Sequence, residues 1–213
     1  MIDKIITKSK DIINPPIIQF GPIRSGSTLV YNILKDTYPN KKIIKKHTLN
    51  NFDIRRSKII ATYRNPLDCL TSSFKRYESF PNEDSIKKQI QELKKFGLDD
   101  LKNIFLRDDI LKLKYEDFYG NYDYIFDSFE DFFGNSISKE KRNIIKSKYS
   151  IEAVIDKTKG FKNFSEFDKE TNLHGNHISN TKGAPNIHAD FFTNEHIKYI
   201  KHEFSDYLST LGY

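Results

Sequence analysis

At 213 residues, with 37% hydrophobic and 14% aromatic side chains, the chain is long enough for a single domain with its own core, and no apolar run is long enough to span a membrane. Its formal charge of +6 comes from lysines scattered among 29 acids, not from a Lys/Arg block interleaved with aromatics, which argues against a nucleic-acid surface but suits a small polyanion. The lone Cys69 excludes an internal disulfide and a cysteine-built metal cluster, and it lies in an apolar helical stretch that reads as core.

Residues 1–16 carry lysines and no long apolar segment, so they read as a polar leader and not a signal peptide, and the protein as cytoplasmic. Pro15-Pro16 introduces a strand over 16–20, followed by a loop and a helix over 26–37 that Tyr38-Pro39-Asn40 ends. A second strand is expected over 41–47, a connection over 50–57, and a third strand over 58–63 whose continuous apolar run fits burial on both faces. Asn65-Pro66 opens a helix carrying Leu67, Leu70, Phe74 and Tyr77 at helical spacing. After a turn at 80–84 comes a long polar helix over 84–105 with a break at Gly97, then a fourth strand over 110–115. Glu116-Asp117 starts an amphipathic helix closed by Gly134, and Ser138 caps another over 138–149, with further helical turns over 151–158. Periodicity is lost over 159–190, where Gly, Asn, His, Lys and Pro dominate; so long an irregular stretch suits a lid over a ligand. A terminal helix follows over 193–211, capped by Thr193. Alternating strands and helices predict a single α/β domain over 1–213: three layers, a mainly parallel sheet flanked by helices, with ligands at the carboxyl ends of the strands.

Three strand ends carry polar signals. The first runs into Gly21-Pro22-Ile23-Arg24-Ser25-Gly26-Ser27-Thr28, a strand–loop–helix whose glycine spacing matches that of a nucleotide-binding P-loop. Backbone amides of such a loop, with the positive end of the following helix, make an anion cradle. Ser27 stands where a P-loop lysine would reach the terminal phosphates, so an ATP or GTP hydrolase is disfavoured, and Arg24 supplies the positive charge. The second strand ends at Lys45-Lys46-His47, and the third at Arg64-Asn65-Pro66 with Ser72 following on the next helix. Arginine is scarce here: Arg24, Arg55, Arg56, Arg64, Arg76, Arg107 and Arg142 among 35 basic residues. An arginine at a strand end is therefore informative, because its planar fork suits bidentate anion recognition.

The loop, the Lys-x-His and Tyr63-Arg64-Asn65-Pro66-Leu67-Asp68-Cys69-Leu70-Thr71-Ser72-Ser73 together resemble the sulfotransferases that use 3′-phosphoadenosine 5′-phosphosulfate (PAPS), particularly bacterial and carbohydrate-type members. The resemblance covers 17–77 and resumes over 110–134, where Leu113-Lys114-Tyr115-Glu116-Asp117 is similar to the family's fourth strand and Tyr-Glu-Asp. It implies a P-loop NTPase-like fold and transfer of a sulfuryl group from PAPS to a hydroxyl or amine of a small-molecule or carbohydrate acceptor, without a metal. It further implies that Arg24, with Ser25, Gly26, Ser27 and Thr28, holds the 5′-phosphosulfate, and that Arg64 and Ser72 hold the 3′-phosphate. His47 would be the general base, Lys45 would stabilise charge in the transition state, and Tyr115 would contact the adenine. Of the family's C-terminal Arg-Lys-Gly pattern only Lys182 and Gly183 are present, with Thr181 in the arginine's place, and Leu29 stands where cytosolic relatives have an adenine-stacking tryptophan. His174, His177 and His188 are spaced too loosely for a zinc site and read as lid or acceptor lining. A non-catalytic nucleotide-binding protein on the same scaffold, and a P-loop kinase of a small metabolite, are the alternative readings.

Overall fold

The computed structural model describes residues 15–77, 79–163, 165–175, 177–179 and 181–213; the expected leader, up to residue 14, lies outside them. Four strands, β1 (Ile17–Phe20), β2 (Ile43–Lys46), β3 (Lys58–Tyr63) and β4 (Leu111–Lys114), form one parallel sheet in the order β2-β1-β3-β4. Ile17 pairs with Ile43 on one side and with Lys58 on the other, so β1 lies at the centre, where the strand order reverses. The chain leaves β1 toward β2 on one side and leaves β3 toward β4 on the other, so the loops after β1 and β3 part at the carboxyl ends and leave a crevice.

The helices are α1 (Ser27–Thr37), α2 (Asn51–Arg56), α3 (Pro66–Arg76), α4 (Glu83–Leu93), α5 (Asp99–Ile104), α6 (Tyr115–Phe118), α7 (Tyr122–Phe133), α8 (Lys139–Tyr149), α9 (Ile151–Thr158), α10 (Asn194–Glu203) and α11 (Ser205–Leu211). Strand alternation divides the core in two. Ile18, Phe20, Ile59 and Ala61 pack with Leu70 and Phe74 of α3, Ile86 and Ile90 of α4, and Ile200 and Phe204. Ile17, Ile60 and Leu113 face the other way, onto Val30, Ile33 and Leu34 of α1 and Ile125, Phe126 and Phe129 of α7. This is the expected three-layer α/β arrangement, and Cys69 is buried within it. Among the described residues no helix is long and apolar enough to cross a membrane.

Most elements fall where the pattern places them, and β3 matches to the residue. The expected connection at 50–57 is instead the short helix α2, started by a capping box in which Asn50 accepts from the Asp53 N–H and Asp53 accepts from the Asn50 N–H. At six residues it carries too few apolar positions for a helical period to register. The terminal helix is divided at Phe204, which is fully buried. Over 159–190 the described residues form no strand or helix, only an isolated bridge between Phe167 and His174.

The break at Gly97 has a structural purpose. Gly97 has φ 118, and a Cβ there would lie 2.7 Å from the His47 carbonyl oxygen and 2.8 Å from Pro22 Cα. The neighbouring Phe96 carbonyl accepts from the Ile23 N–H at 3.2 Å. The kink between α4 and α5 thus presses directly on the loop after β1 and on the end of β2. Gly97→Ala should lower stability by about 1–3 kcal/mol, because both the backbone angle and the contact are unfavourable to a side chain. Gly134→Ala, at φ 68 with open space around it, should lose less. Urea unfolding midpoints compare the two, and equal losses would count against the contact.

Candidate active site

The polypeptide between β1 and α1 is held from below by buried hydroxyls. Ser25 Oγ donates to the Pro22 carbonyl at 2.7 Å and lies 3.0 Å from Thr62 Oγ1, to which Gln19 Nε2 donates at 3.2 Å. Gly26 then turns left-handed at φ 79 and begins α1 without any side-chain cap. The Ser27 and Thr28 amides therefore have no partner within the helix, and no acid stands in its first turn. A Cβ on Gly26 would lie 2.8 Å from both Phe118 Cζ and Tyr115 Cδ2, so the turn is closed over by these rings.

One cavity at the carboxyl ends of the strands is lined by Arg24, Gly26, Ser27, Thr28, Lys45, His47, Arg64, Ser72, Tyr115, Lys182 and Gly183, gathering residues from across the whole chain. Ser25 is the expected residue that does not line it. Its hydroxyl points inward and its N–H goes to the Pro22 carbonyl at 3.3 Å, so it braces the loop and does not contribute to the cradle.

The cations in this cavity are crowded. Arg24, at φ 68, donates from Nε to Ser72 Oγ at 2.9 Å, and Lys45 Nζ donates to Thr28 Oγ1 at 2.8 Å. Burial, then the charges of Arg76 and Arg64, push the Arg24 guanidinium down to about 10. Burial, with Arg76 and Arg24 nearby, pushes Lys45 down to about 8. His47 Nδ1 lies 2.7 Å from the Gly21 carbonyl, which can only accept, so Nδ1 carries the proton and Nε2 keeps its lone pair. Burial and the Lys45 charge hold His47 below its ordinary value, outweighing the Gly21 bond that favours the cation.

The opposite end is shaped by the irregular segment. Arg64, 4% exposed, stacks on the Tyr115 ring with 4.1 Å to its centroid and donates from Nη2 to the Gly183 and Ala184 carbonyls at 3.3 and 2.8 Å. Tyr115 donates its hydroxyl to the same Gly183 carbonyl at 2.8 Å. Asp68, one turn into α3 and fully buried, accepts from the Asn186 N–H at 2.6 Å and from His188 Nδ1 at 2.7 Å. Burial alone would raise this carboxyl, but the His188 bond, the Arg64 charge and the Asn186 amide hold it below the usual range. Lys182, by contrast, is largely exposed at the rim, its Nζ 3.9 Å from Glu152.

Several cavity residues were not marked as site residues by sequence reasoning. Tyr119, Tyr122 and Tyr149 make an aromatic wall with Tyr115, to which Ile151 adds an aliphatic face, and Arg76 lines the same cavity, its charge acting on Lys45 and His47. Arg76 follows Ser72 by four residues on α3, a spacing that puts both on one helical face; the scarcity of arginine was the signal available. His174 and His177 also line the cavity, whereas His188 does not and instead meets Asp68.

No protein-family model and no curated protein matches the chain. Solved structures do. The mouse sulfotransferase SULT7A1 complexed with PAP superposes with a TM-score of 0.68 at 14% identity, over 91% of this chain and 83% of that one. Retinol dehydratase with androsterone and the inactive cofactor PAP gives 0.62 at 13% identity, over 91% and 80%. Retinol dehydratase with retinol and PAP gives 0.63 at 15%, over 92% and 82%. The chain has the fold of the sulfotransferases, and the resemblance read from its motifs holds at that level.

Asp68→Asn should free the 183–188 segment by removing an acceptor that holds two backbone amides and an imidazole. Losing charge-assisted bonds of about 1.5–3 kcal/mol should speed amide exchange at Asn186 and His188 by roughly tenfold or more and leave strand amides unchanged. Uniform acceleration across the sheet would instead mean global destabilisation.

Proposed function

We propose that this protein is a sulfotransferase that moves a sulfuryl group from PAPS to a hydroxyl or amine of a small acceptor. One observation carries the reading: an uncapped helix N-terminus with Arg24 and Lys45 and, in the same cavity, a buried Arg64 stacked on Tyr115 supply two sets of anion donors with an aromatic wall beside them. The donor set fits the nucleotide. Arg64 Nε is buried without a partner, leaving an N–H to give, and a side chain at Gly26 would fill the cradle.

In this reading the Ser27 and Thr28 amides, Arg24 and Lys45 hold the 5′-phosphosulfate, and Arg64 and Ser72 hold the 3′-phosphate, with Lys182 and Gly183 closing from the tail. Tyr115, Tyr119, Tyr122 and Tyr149 take the adenine in place of the family's tryptophan. PAPS supplies a sulfuryl group whose bond to the 5′-phosphate breaks as a bond to the acceptor oxygen or nitrogen forms. His47 is held neutral with Nε2 unprotonated, so this nitrogen receives the acceptor's proton. Lys45 and Arg24 place positive charge where negative charge grows during the transfer.

Calorimetry with adenosine 3′,5′-bisphosphate against ATP and adenosine monophosphate tests the cofactor. The bisphosphate should bind preferentially without magnesium, and Arg64→Ala should abolish the preference; magnesium-dependent preference for ATP would overturn the reading in favour of a kinase.

The kcat/KM profile tests the two titrating groups, since it reports the free enzyme. Activity needs His47 deprotonated, and its lowered value keeps the base form present below pH 6.5, so the acid limb should lie below that value. Activity needs Lys45 charged, so the alkaline limb should fall near pH 8 and move upward in Lys45→Arg. His47→Ala should lose about 10²–10⁴ in kcat while retaining bisphosphate binding. An alkaline limb unmoved by Lys45→Arg would remove that lysine from the mechanism.

A further inference from the structure

The ladder between β3 and β4 stops just short of the Arg64–Tyr115 stack. Its last register pair is Tyr63 with Lys114; one chain then runs through Arg64 and Asn65 into α3, and the other enters α6 at Tyr115. Arg64 and Tyr115 are thus the first residues beyond the last rung, where strand pairing no longer fixes their separation.

A side chain continues the connection. Glu116 Oε1 accepts from the Asn65 N–H at 3.2 Å, so the residue after Tyr115 grips the backbone directly after Arg64. The other carboxylate oxygen is taken by Tyr213, whose hydroxyl donates to Glu116 Oε2 at 2.6 Å. Gly212, left-handed at φ 74, ends α11, and the Tyr213 N–H then reaches the Leu208 carbonyl at 2.9 Å. The Tyr213 ring lies against both members of the last rung, its centroid 6.3 Å from that of Tyr63 and 4.4 Å from Lys114 Nζ. Burial first, and then the Glu116 bond, push the Tyr213 hydroxyl up, so it stays protonated and donates. Tyr213 covers the rung, and Glu116 spans the gap beyond it.

This brace bears on the direction of one donor. The Arg64 guanidinium lies 4.1 Å from the Tyr115 centroid and spends Nη2 on the Gly183 and Ala184 carbonyls. Its Nε–H is buried and has no partner among the described residues. The donors of a guanidinium lie in one rigid plane, so Nε is aimed only by moving the whole group. Its aim therefore follows the spacing of the two strand ends, and a hydrogen bond weakens steeply when its angle is lost.

We propose that Glu116 and Tyr213 are positioning residues for the 3′-phosphate: they hold the ends of β3 and β4 at the separation that aims Arg64, and so set how strongly the site prefers a 3′-phosphorylated nucleotide. This rests on the sulfotransferase reading of the cavity, in which Arg64 meets the 3′-phosphate.

Calorimetry on the full chain tests it, with adenosine 3′,5′-bisphosphate against adenosine 5′-monophosphate, which lacks only the 3′-phosphate. Tyr213→Phe keeps the ring and removes one hydroxyl; it should lower the preference for the bisphosphate about fivefold and change monophosphate affinity by less than about twofold. Glu116→Ala should lower the preference roughly tenfold or more, whereas Glu116→Gln, whose amide oxygen still accepts from Asn65, should stay within about twofold of wild type. In an Arg64→Ala background, Tyr213→Phe should change bisphosphate affinity by less than about twofold, because the group it positions is gone. Should Glu116→Ala fail to fold, Tyr213→Phe decides alone. An unchanged preference in Tyr213→Phe, or equal weakening of both nucleotides, means a purely structural brace and overturns the inference. So does a loss of bisphosphate affinity that is the same with and without Arg64. A wild-type chain with no preference for the bisphosphate instead overturns the sulfotransferase reading.

Discussion

The structure depends on how the chain leaves β1. A strand must pass into a helix without any side chain covering the amides that begin the helix, and it must do so beneath two aromatic rings. Gly26 meets both needs, with its left-handed angle and with no Cβ to meet Tyr115 and Phe118. The turn is then braced from below by Ser25, Thr62 and Gln19, and from the side by the kink at Gly97. Elements from β3, α4, α5 and α6 are thereby committed to one short loop, and its open amides are the outcome.

Around those amides the protein collects positive charge against its own electrostatic preference. Arg24 and Lys45 are both held below their ordinary values, by burial first and then by neighbouring cations. Such a cluster is easiest to maintain where an anion is to be bound, since the ligand relieves the repulsion that the free protein carries. The hydrogen bonds from Arg24 to Ser72 and from Lys45 to Thr28 keep both groups ordered, and among the described residues these partners are neutral hydroxyls that leave the charge uncompensated.

The irregular segment after α9 is ordered by a different device. Arg64 and Asp68, one turn apart at the start of α3, act on it together: the guanidinium donates to the Gly183 and Ala184 carbonyls, and the carboxylate accepts from Asn186 and His188. A buried ion pair is weak support for stability in itself, but here the two charges are 3.9 Å apart and spend their hydrogen bonds on the backbone of the tail and on the His188 ring. The 3′-phosphate end of the proposed site is therefore built jointly by the motif after β3 and a segment more than a hundred residues away.

What could be read from the chain alone was what repeats locally. The continuous apolar run of β3, the Ser138 cap, the glycine spacing of the first loop and the order of motifs at three strand ends each follow from a few adjacent residues, and these were enough for the fold and for a part of the residues that line the cavity. A hydroxyl's direction, however, is decided by its partners, so Ser25 read as part of the cradle until Thr62 and the Pro22 carbonyl were seen to hold it inward. The Tyr119, Tyr122 and Tyr149 wall gave no local signal because its role arises only when helices distant in sequence face one cavity, and Arg76 was marked by nothing beyond the scarcity of arginine. The link from Tyr213 through Glu116 to Asn65 likewise exists only in three dimensions, because its residues lie far apart in the chain. Backbone pattern determined the elements and the motif positions; tertiary packing decided which polar atoms remained free to act, because a hydrogen bond is spent on whichever partner the fold brings within reach.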